Sequence, residues 1–375
     1  MKFVLIPDSF KGTLSSSQIC EILKTGVEKH FPGSETVSIP VADGGEGSVD
    51  AFIAAVGGTK EHVTVKNPYF EDMESYYGLI DEGQTAVIEM AACAGLPLVE
   101  NRKDPRKTTT YGVGQLIVAA AEKGVKKIIV GLGGSCTNDG GCGAAAAAGI
   151  RFYDEAGEEF VPTGGTTEKI RRIDLSGYNP VLRSVEIVTM CDIDNPMYGP
   201  TGAAYIFGPQ KGADAKMVLE LDEGIANLSQ VIAQTIGKDI SQIPGTGAAG
   251  AMGAGMIAFF GSRLQMGIQT VLDTVKFDQL IEDADYIFTG EGKLDSQSLR
   301  GKVVIGIAQR AKTQNKPVIA VVGGAEDSQI EQAYEMGVTA VFPINRLPED
   351  FSVSRHHSEE NLAYTVDNIL RLMKS

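Results

Sequence analysis

Short apolar runs alternate with helix-like patterns at both ends of this chain, and that alternation restricts its fold more than any other feature. Residues 2–6 form an apolar run suited to a buried strand, and a helix is predicted after Ser15, with apolar residues at i, i+3, i+4 and i+8 from Ile19. A second strand over residues 35–41 and a helix near 49–56 follow. This pattern predicts a parallel sheet with helices on both faces.

The C-terminal part of the chain repeats the same order of elements. Strands are predicted over residues 286–289, 318–322 and 338–342, and helices over residues 302–312 and 327–336 lie between them. These strands and those near the N-terminus therefore suit a single doubly wound sheet.

The middle of the chain has a different pattern. It contains a polyalanine helix at residues 144–148, a long amphipathic helix from Met217 to Ile232, and strand-like runs at residues 74–80, 85–90, 127–130 and 185–190. We therefore predict an α/β fold of two domains. Residues 1–66 and 271–375 form a doubly wound parallel-sheet domain, and residues 67–270 form a glycine-rich α/β domain inserted into it.

Charge and cysteine content exclude several classes of protein. The chain has 33 Lys and Arg against 48 Asp and Glu, a net charge of −15, and so acidic a surface repels nucleic acid and anionic lipid. We expect neither a nucleic acid nor a membrane as a partner. The five cysteines form no C-x-x-C pair, and the four histidines complete no zinc spacing. Pro7 ends the apolar start too early for a signal peptide. We expect a cytoplasmic protein, for which a homodimer is one possible assembly.

A glycine-rich loop at residues 131–141 follows a predicted strand and precedes the polyalanine helix. This order turns backbone N–H groups and a helix N-terminus toward phosphate oxygens. The Walker A pattern, G-x-x-x-x-G-K-[ST], does not occur in the sequence. A close approach of helix and sheet that requires glycine is the alternative interpretation. The residues predicted to bind phosphate groups of a cofactor are Gly133, Gly134, Ser135, Thr137, Asn138 and Asp139.

Acidic residues in two other strand-end loops suit a magnesium site. Asp43 lies in a glycine-rich run at residues 42–48, and Glu291 and Asp295 lie in the loop at 289–298. Mg²⁺ prefers carboxylate oxygens together with substrate phosphate, so these three acids are predicted to hold it. Asp43 is equally suited to capping the following helix.

Basic residues beside glycines are candidates for binding a small anion. Lys11 follows the first strand and is predicted to neutralise a phosphate during catalysis. Arginine binds carboxylates in a bidentate manner, and lysine supplies a point charge. Solvated charges on surface turns are the alternative interpretation. The predicted substrate-binding residues are Asp8, Lys211, Lys293, Arg300 and Lys302.

Two acids follow the strand predicted at residues 185–190. Asp192 and Asp194 are two positions apart, so an extended backbone would direct both to one side. One carboxylate of such a pair can take a proton from a hydroxyl while the other holds Mg²⁺. We predict that Asp192 is the general base because it lies nearer the strand end. Asp194, beside Asn195 and Pro196, is predicted to begin the turn. Asp295 is predicted to act in catalysis as well as in metal binding.

Residues 245–250 match G-x-G-x-x-G, the dinucleotide-binding pattern. The match is weak because it follows Pro244 without a clear strand and lacks a surrounding β-α-β unit. We predict a glycine-rich helix entry with close packing or substrate contact. The pattern nevertheless motivates a nicotinamide-dependent oxidoreductase as an alternative, and a non-catalytic sensor of a nucleotide or sugar acid is another.

Taken in order, these loops resemble those of the bacterial glycerate kinase family, in the type that makes 2-phosphoglycerate. The matching runs are residues 8–12, 42–47, 133–141, 191–196, 208–213, 244–250 and 289–298, so the resemblance extends over nearly the whole chain. Ser48 and Ala251 stand where Thr and Gly are expected, and neither is a charged position.

The resemblance implies ATP- and Mg²⁺-dependent phosphorylation of D-glycerate to 2-phosphoglycerate in the cytoplasm. It also implies a flavodoxin-like domain with a second α/β domain inserted, and an active site between the two. ATP and glycerate are the implied small-molecule partners. Phosphorylation of the 3-hydroxyl, or of a related small sugar acid, remains an alternative.

Overall fold

The computed structural model describes residues 1–41, 44–347 and 349–375. Fourteen strands are found in these residues: β1 Lys2–Leu5, β2 Glu35–Ser38, β3 Thr59–Lys66, β4 Asp72–Ile80, β5 Thr85–Glu89, β6 Lys127–Gly131, β7 Arg151–Tyr153, β8 Glu159–Phe160, β9 Arg172–Asp174, β10 Glu186–Met190, β11 Arg263–Gln265, β12 Tyr286–Thr289, β13 Val318–Val322 and β14 Ala340–Pro343.

Fourteen α-helices are found in the same described ranges. They are α1 Ser16–His30, α2 Ser48–Val56, α3 Ala91–Ala94, α4 Tyr111–Glu122, α5 Cys142–Ala147, α6 Ala203–Phe207, α7 Ala215–Ile236, α8 Ala248–Phe260, α9 Gly267–Thr274, α10 Phe277–Leu280, α11 Val303–Lys312, α12 Asp327–Glu335, α13 Phe351–Ser354 and α14 Ser358–Lys374. None of these described helices is both long and apolar enough to cross a membrane.

The chain divides into two compact units. The first unit comprises Met1–Ala42, Ala54–Val56 and Met266–Ser375, and the second comprises Asp43–Ile53 and Gly57–Gln265. The expected boundaries at residues 66 and 270 are therefore displaced. Strand β3 pairs along its whole length with β4 and so belongs to the second unit, and β11 ends that unit at Gln265.

The first unit is a five-stranded parallel sheet in the order β14-β13-β12-β1-β2. In chain order this is the 2-1-3-4-5 arrangement of flavodoxin-like folds, so the fold class expected from the sequence is confirmed. Helix α1 begins where the sequence predicts, because Ser15 and Gln18 form a reciprocal capping box. Its buried face packs with α14 over β1, where Phe3, Leu23 and Leu370 share one core.

The second unit contains a six-stranded mixed sheet in the order β11-β10-β6-β5-β4-β3. Strands β5, β6, β10 and β11 are parallel, and β3 and β4 are antiparallel additions at one edge. A separate antiparallel sheet of β7, β8 and β9 was not predicted, because these strands have only two or three residues each.

Helices of the second unit cover the central parallel strands. The polyalanine segment forms α5, and the uncharged segment near residues 246–261 forms α8, whose apolar residues are largely buried. The small side chains of α5 let it pack closely against α4, where Gly114 faces the backbone of Ala144. These strands and helices form one apolar core that positions the loops at the strand ends.

Candidate active site

The carboxyl ends of β5, β6 and β10 meet at one edge of the sheet in the second unit. Gly131, the last residue of β6, is in register with Glu89 of β5 on one side and with Met190 of β10 on the other. In open α/β sheets this edge is where ligands bind. The glycine-rich loop and the Asp192 segment both leave the sheet here.

Lys211 carries a basic group yet is almost completely buried in the second unit. Its side chain is 1% exposed, and its ammonium group donates hydrogen bonds to the Ser135 hydroxyl at 2.9 Å and the Thr137 carbonyl oxygen at 2.6 Å. Burial lowers the pKa of Lys211 to about 8, although the nearby charges of Cys136 and Asp139 act in the opposite direction. Lys211, which the sequence analysis predicted to bind substrate, therefore contacts the loop that was predicted to bind phosphate.

A cavity of about 250 Å³ opens beside this lysine. Lys211 and Ser135 form part of its polar lining, together with the backbone of Gly133 and Gly134. Within the described chain, the N–H groups of Gly134 and Ser135 have no hydrogen-bond acceptor. Two available amides, a hydroxyl and an ammonium group lining one cavity form a suitable site for an anion.

Gly133 lies against the backbone of the loop at residues 44–45. Its N–H donates to the carbonyl oxygen of Gly44 at 2.9 Å, so it is not available to a ligand. A side chain at this position would bring its Cβ within 2.5 Å of the Cα of Gly45. Glycine is thus needed here for the close approach of two loops, and the predicted role of Gly133 in cofactor binding stays a prediction.

Asp139 accepts hydrogen bonds from the protein through both carboxylate oxygens, and its predicted role as a cofactor ligand stays a prediction. One carboxylate oxygen accepts from the Thr110 N–H and hydroxyl, both at 2.8 Å, and from the Gly143 N–H at 3.2 Å. The other accepts from the Gly141 N–H at 3.1 Å. Complete burial raises the pKa of Asp139, and these hydrogen bonds counteract that shift. The residue fastens the glycine loop to the start of α4 and α5.

Thr137 and Asn138 are fully buried and have unsatisfied polar atoms. The Thr137 hydroxyl and both side-chain amide atoms of Asn138 have no hydrogen-bond partner among the described residues. Buried polar atoms are nearly always paired in native proteins, so orphaned atoms indicate a place for water or a ligand. Their predicted role in cofactor binding stays a prediction.

The G-x-G-x-x-G segment provides packing, as the sequence analysis predicted. Gly250 lies against the loop so closely that a Cβ there would be 2.0 Å from the Thr137 carbonyl oxygen. Its own carbonyl oxygen accepts the N–H of Gly140 at 3.0 Å. Ala249 and Ala251 on either side also have left-handed backbone angles, which cost non-glycine residues about 1 kcal/mol or more each. This strained turn fixes the position of the glycine-rich loop at residues 131–141.

Asp192 and Asp194 are both exposed beyond the end of β10. They flank Ile193, which lines the cavity, so the segment that carries the predicted base adjoins the anion site. The choice between the two acids as general base stays a prediction.

A second group of predicted residues occurs in the first unit, at the ends of β1 and β12. Glu291 is buried, and one of its carboxylate oxygens has no hydrogen-bond partner among the described residues. Burial raises the pKa of Glu291 to about 7; the charges of Asp8 and Asp295 raise it further, while Ser298 and Lys302 lower it. Three carboxylates thus influence one another in this loop cluster.

The residues of the first unit suit a magnesium ion only in part. Among residues 1–41, 44–347 and 349–375, no three His, Cys, Asp or Glu side chains form a metal-binding group. Mg²⁺ needs only one or two carboxylates when water and phosphate complete its shell. Glu291, with its orphaned oxygen, and Asp295 satisfy that smaller requirement. Asp43, the third predicted ligand, lies outside the described residues.

The predicted basic residues of the first unit differ in their hydrogen-bond partners and in their exposure to solvent. Lys293 forms an ion pair with Glu326 at 2.6 Å, so part of its charge is already neutralised. Lys302 donates to the side chain of Gln297 at 2.9 Å. Lys11 and Arg300 are exposed on the surface of the same unit. Their predicted contacts with substrate stay predictions.

Sequence reasoning missed three buried polar residues near the site, Thr108, Thr110 and Glu89. Thr108 donates from its hydroxyl to the Cys136 carbonyl oxygen at 3.0 Å, and Thr110 bonds to Asp139. The run of three threonines before α4 was an available signal. Glu89 is fully buried and accepts from the Tyr76 hydroxyl at 2.6 Å; as a lone acid at the end of an apolar run, it was recognisable in the sequence.

This fold and site define an α/β enzyme with an anion-binding loop at the carboxyl edge of a parallel sheet. The sequence profile of the glycerate kinase family matches residues 3–374, and the chain belongs to that family. It is therefore a kinase.

Named relatives agree with this membership. The chain is 43% identical to glycerate kinase of Bacillus cereus, with 100% of this chain and 98% of the relative covered. It is also 43% identical to glycerate 2-kinase of Escherichia coli, over 92% of this chain and 90% of the relative. The crystal structure of a candidate glycerate kinase 2 from Salmonella typhimurium LT2 superposes with a TM-score of 0.87 at 38% identity, covering 100% of this chain and 98% of that one.

Proposed function

We propose that this kinase transfers the terminal phosphoryl group of ATP to D-glycerate and forms 2-phosphoglycerate, with Mg²⁺ as the metal. The observation that carries the proposal is the anion site built from Lys211, Ser135 and the free N–H groups beside them. Phosphoryl transfer depends mostly on positioning and charge neutralisation, which such a site supplies. The name of the E. coli relative, glycerate 2-kinase, supports the choice of the 2-hydroxyl.

Each part of the reaction has a proposed residue. The N–H groups of Gly134 and Ser135 hold phosphate oxygens, and Lys211 neutralises their charge. Glu291 and Asp295 are the proposed metal-binding acids, and bound Mg²⁺ would shield charge on the phosphates. Asp192 accepts the proton of the attacking hydroxyl.

Lys11 is proposed to neutralise the charge of a phosphate during catalysis, and Arg300 and Lys302 are proposed to bind the carboxylate of the acid substrate. Lys11 and Arg300 are exposed and Lys302 is half-buried in the first unit, and Lys293 forms an ion pair with Glu326. Asp8, in the same group of loops, is proposed to accept a hydrogen bond from a hydroxyl of the substrate. We further propose that the enzyme acts in the cytoplasm.

The test is a product analysis with purified protein. ADP release is measured by a coupled assay with MgATP and D-glycerate, and phosphorus NMR then separates 2-phosphoglycerate from 3-phosphoglycerate. A product phosphorylated at the 3-hydroxyl would replace the proposed regiochemistry. Turnover only with another small sugar acid would replace the proposed substrate. No ADP release with any such acid would refute the proposal.

A further inference from the structure

The cavity beside Lys211 is lined by both polar and apolar groups. The anion site supplies the polar groups, and Leu96, Ile193 and Phe207 form an apolar wall. The two kinds of lining adjoin each other, since the Leu96 N–H donates to the Gly134 carbonyl oxygen at 2.9 Å. A ligand that fills this cavity must therefore offer both an anionic group and an apolar surface.

Glycerate does not match the apolar wall. Each of its carbons carries oxygen, so burial against leucine, isoleucine and phenylalanine would remove water from hydroxyls without offering hydrogen bonds. Such unpaired burial of a hydroxyl disfavours binding. The flat faces of a nucleobase have no such groups, and its edges alone need polar partners.

The size and the polar rim of the cavity also suit part of a nucleotide. Its volume of about 250 Å³ is below the roughly 300–1,000 Å³ of pockets that enclose whole drug-sized ligands. Gln210 lies at its lining, on the same short helical turn as Lys211. A glutamine amide can pair with the amino group and ring nitrogen of adenine together.

The geometry points to a nucleobase subsite in this cavity, in which the adenine ring of the phosphate donor packs on Phe207 and its edge meets Gln210. This inference rests on the proposed use of ATP and adds the residues that recognise the base. Phe207 ends α6, and the phosphate groups then extend toward Lys211 and Ser135. The donor is thus recognised at both ends by one unit of the chain.

The test compares a ligand that has a base with one that lacks it. ADP and inorganic tripolyphosphate are titrated calorimetrically into the wild type, Phe207→Ala and Phe207→Tyr. Loss of stacking on an aromatic ring costs about 1–3 kcal/mol, so Phe207→Ala should weaken ADP binding about tenfold or more, at about 1.4 kcal/mol per tenfold. Tripolyphosphate binding should remain within twofold, and Phe207→Tyr should restore ADP binding.

The matched control is Tyr205→Ala, which removes an exposed aromatic ring from the same helix but outside the cavity. It should leave both ligands unaffected. If circular dichroism shows that Phe207→Ala is unfolded, Leu96→Ala on the same apolar wall is used in its place. It should likewise weaken ADP binding and leave tripolyphosphate binding unchanged.

Three outcomes would overturn the subsite. These are unchanged ADP affinity in the Phe207→Ala variant, an equal loss for tripolyphosphate, or an increased KM for D-glycerate with ADP binding intact. The titrations do not depend on turnover. A protein that binds ADP through Phe207 but makes no phosphoglycerate would therefore disprove the proposed function and leave the subsite standing.

Discussion

The carboxylate of Asp139 accepts two hydrogen bonds from Thr110, one from its N–H and one from its hydroxyl, both at 2.8 Å. These residues are 29 positions apart, and their contact joins the glycine loop to the first turn of α4. The same Thr110 hydroxyl receives the N–H of Ala144 at 2.9 Å, which brings α5 into the network. This buried polar cluster therefore fixes the glycine loop through Asp139. The N–H groups of Gly134 and Ser135, which line the cavity, remain available to a ligand.

Replacing Asp139 by Asn should loosen this cluster. The amide NH₂ cannot accept the hydrogen bonds that the carboxylate oxygen receives, and each unsatisfied buried donor costs about 1–3 kcal/mol. We expect the thermal midpoint to fall by roughly 5–10 °C and the KM for ATP to rise. Asp154→Asn is the control, because that turn carboxylate accepts a hydrogen bond from Glu158 and lies outside the network. A variant with unchanged stability and raised KM would show that Asp139 contacts the ligand directly.

Lys211 should make ATP binding sensitive to alkaline pH. Burial lowers its pKa from 10.5 to about 8, so the ammonium group is charged at pH 7 and loses its proton as the pH rises past about 8. The KM for ATP of the wild type should therefore rise above pH 8. Lys211→Met should raise KM roughly tenfold or more at pH 7 and remove this pH dependence. The exposed Lys216→Met is the control. An equal alkaline rise in both variants would assign the titration to another group.

Glu291 should reduce the stability of the unliganded protein at neutral and alkaline pH. Its pKa is raised from 4.5 to about 7, so its favourable contribution is complete below about pH 4.5 and is lost as the pH rises through 7. Glu291→Gln should match the wild type below about pH 4.5. At pH 8 with chelator it should be more stable by up to about 3 kcal/mol, since each pKa unit is worth about 1.4 kcal/mol.

Magnesium supplies a second measurement on the same variant. If Glu291 holds the ion, Mg²⁺ should raise the thermal midpoint of the wild type at pH 8 more than that of Glu291→Gln. An equal effect on both proteins would remove Glu291 from the metal site, whatever the result of the chelator experiment.

The assignment of the general base is tested by two parallel variants. Asp192→Asn should bind ATP and glycerate normally, because its shape is preserved, and its kcat should fall roughly 10²–10⁴-fold, the usual size of an acid–base contribution. Asp194→Asn should lose much less. A larger loss in Asp194→Asn would reverse the assignment, and small losses in both would mean that no carboxylate at this position accepts the proton.

Several features followed from the sequence because they depend on local patterns. The alternation of short apolar runs and amphipathic stretches predicts the parallel sheet of the first unit, and the Ser15 and Gln18 pair marks the start of α1. The glycine loop follows β6 because strand, loop and helix are consecutive in the chain. The order of seven such loops also indicated the family before any geometry was considered.

Other features depend on contacts between distant residues, and only the tertiary structure decides them. Lys211 donates a hydrogen bond to Ser135, which is 76 positions away in the sequence. Folding buries the lysine away from water, and this burial lowers its pKa. Strand β3 belongs to the second unit because its partner is β4, whereas its own largely polar sequence favours neither unit. Asp139 faces the protein because Thr110 supplies its donors. The sequence shows which charged residues are candidates for a site. Folding alone determines their burial and their hydrogen-bond partners, and these decide which of the residues a ligand can contact.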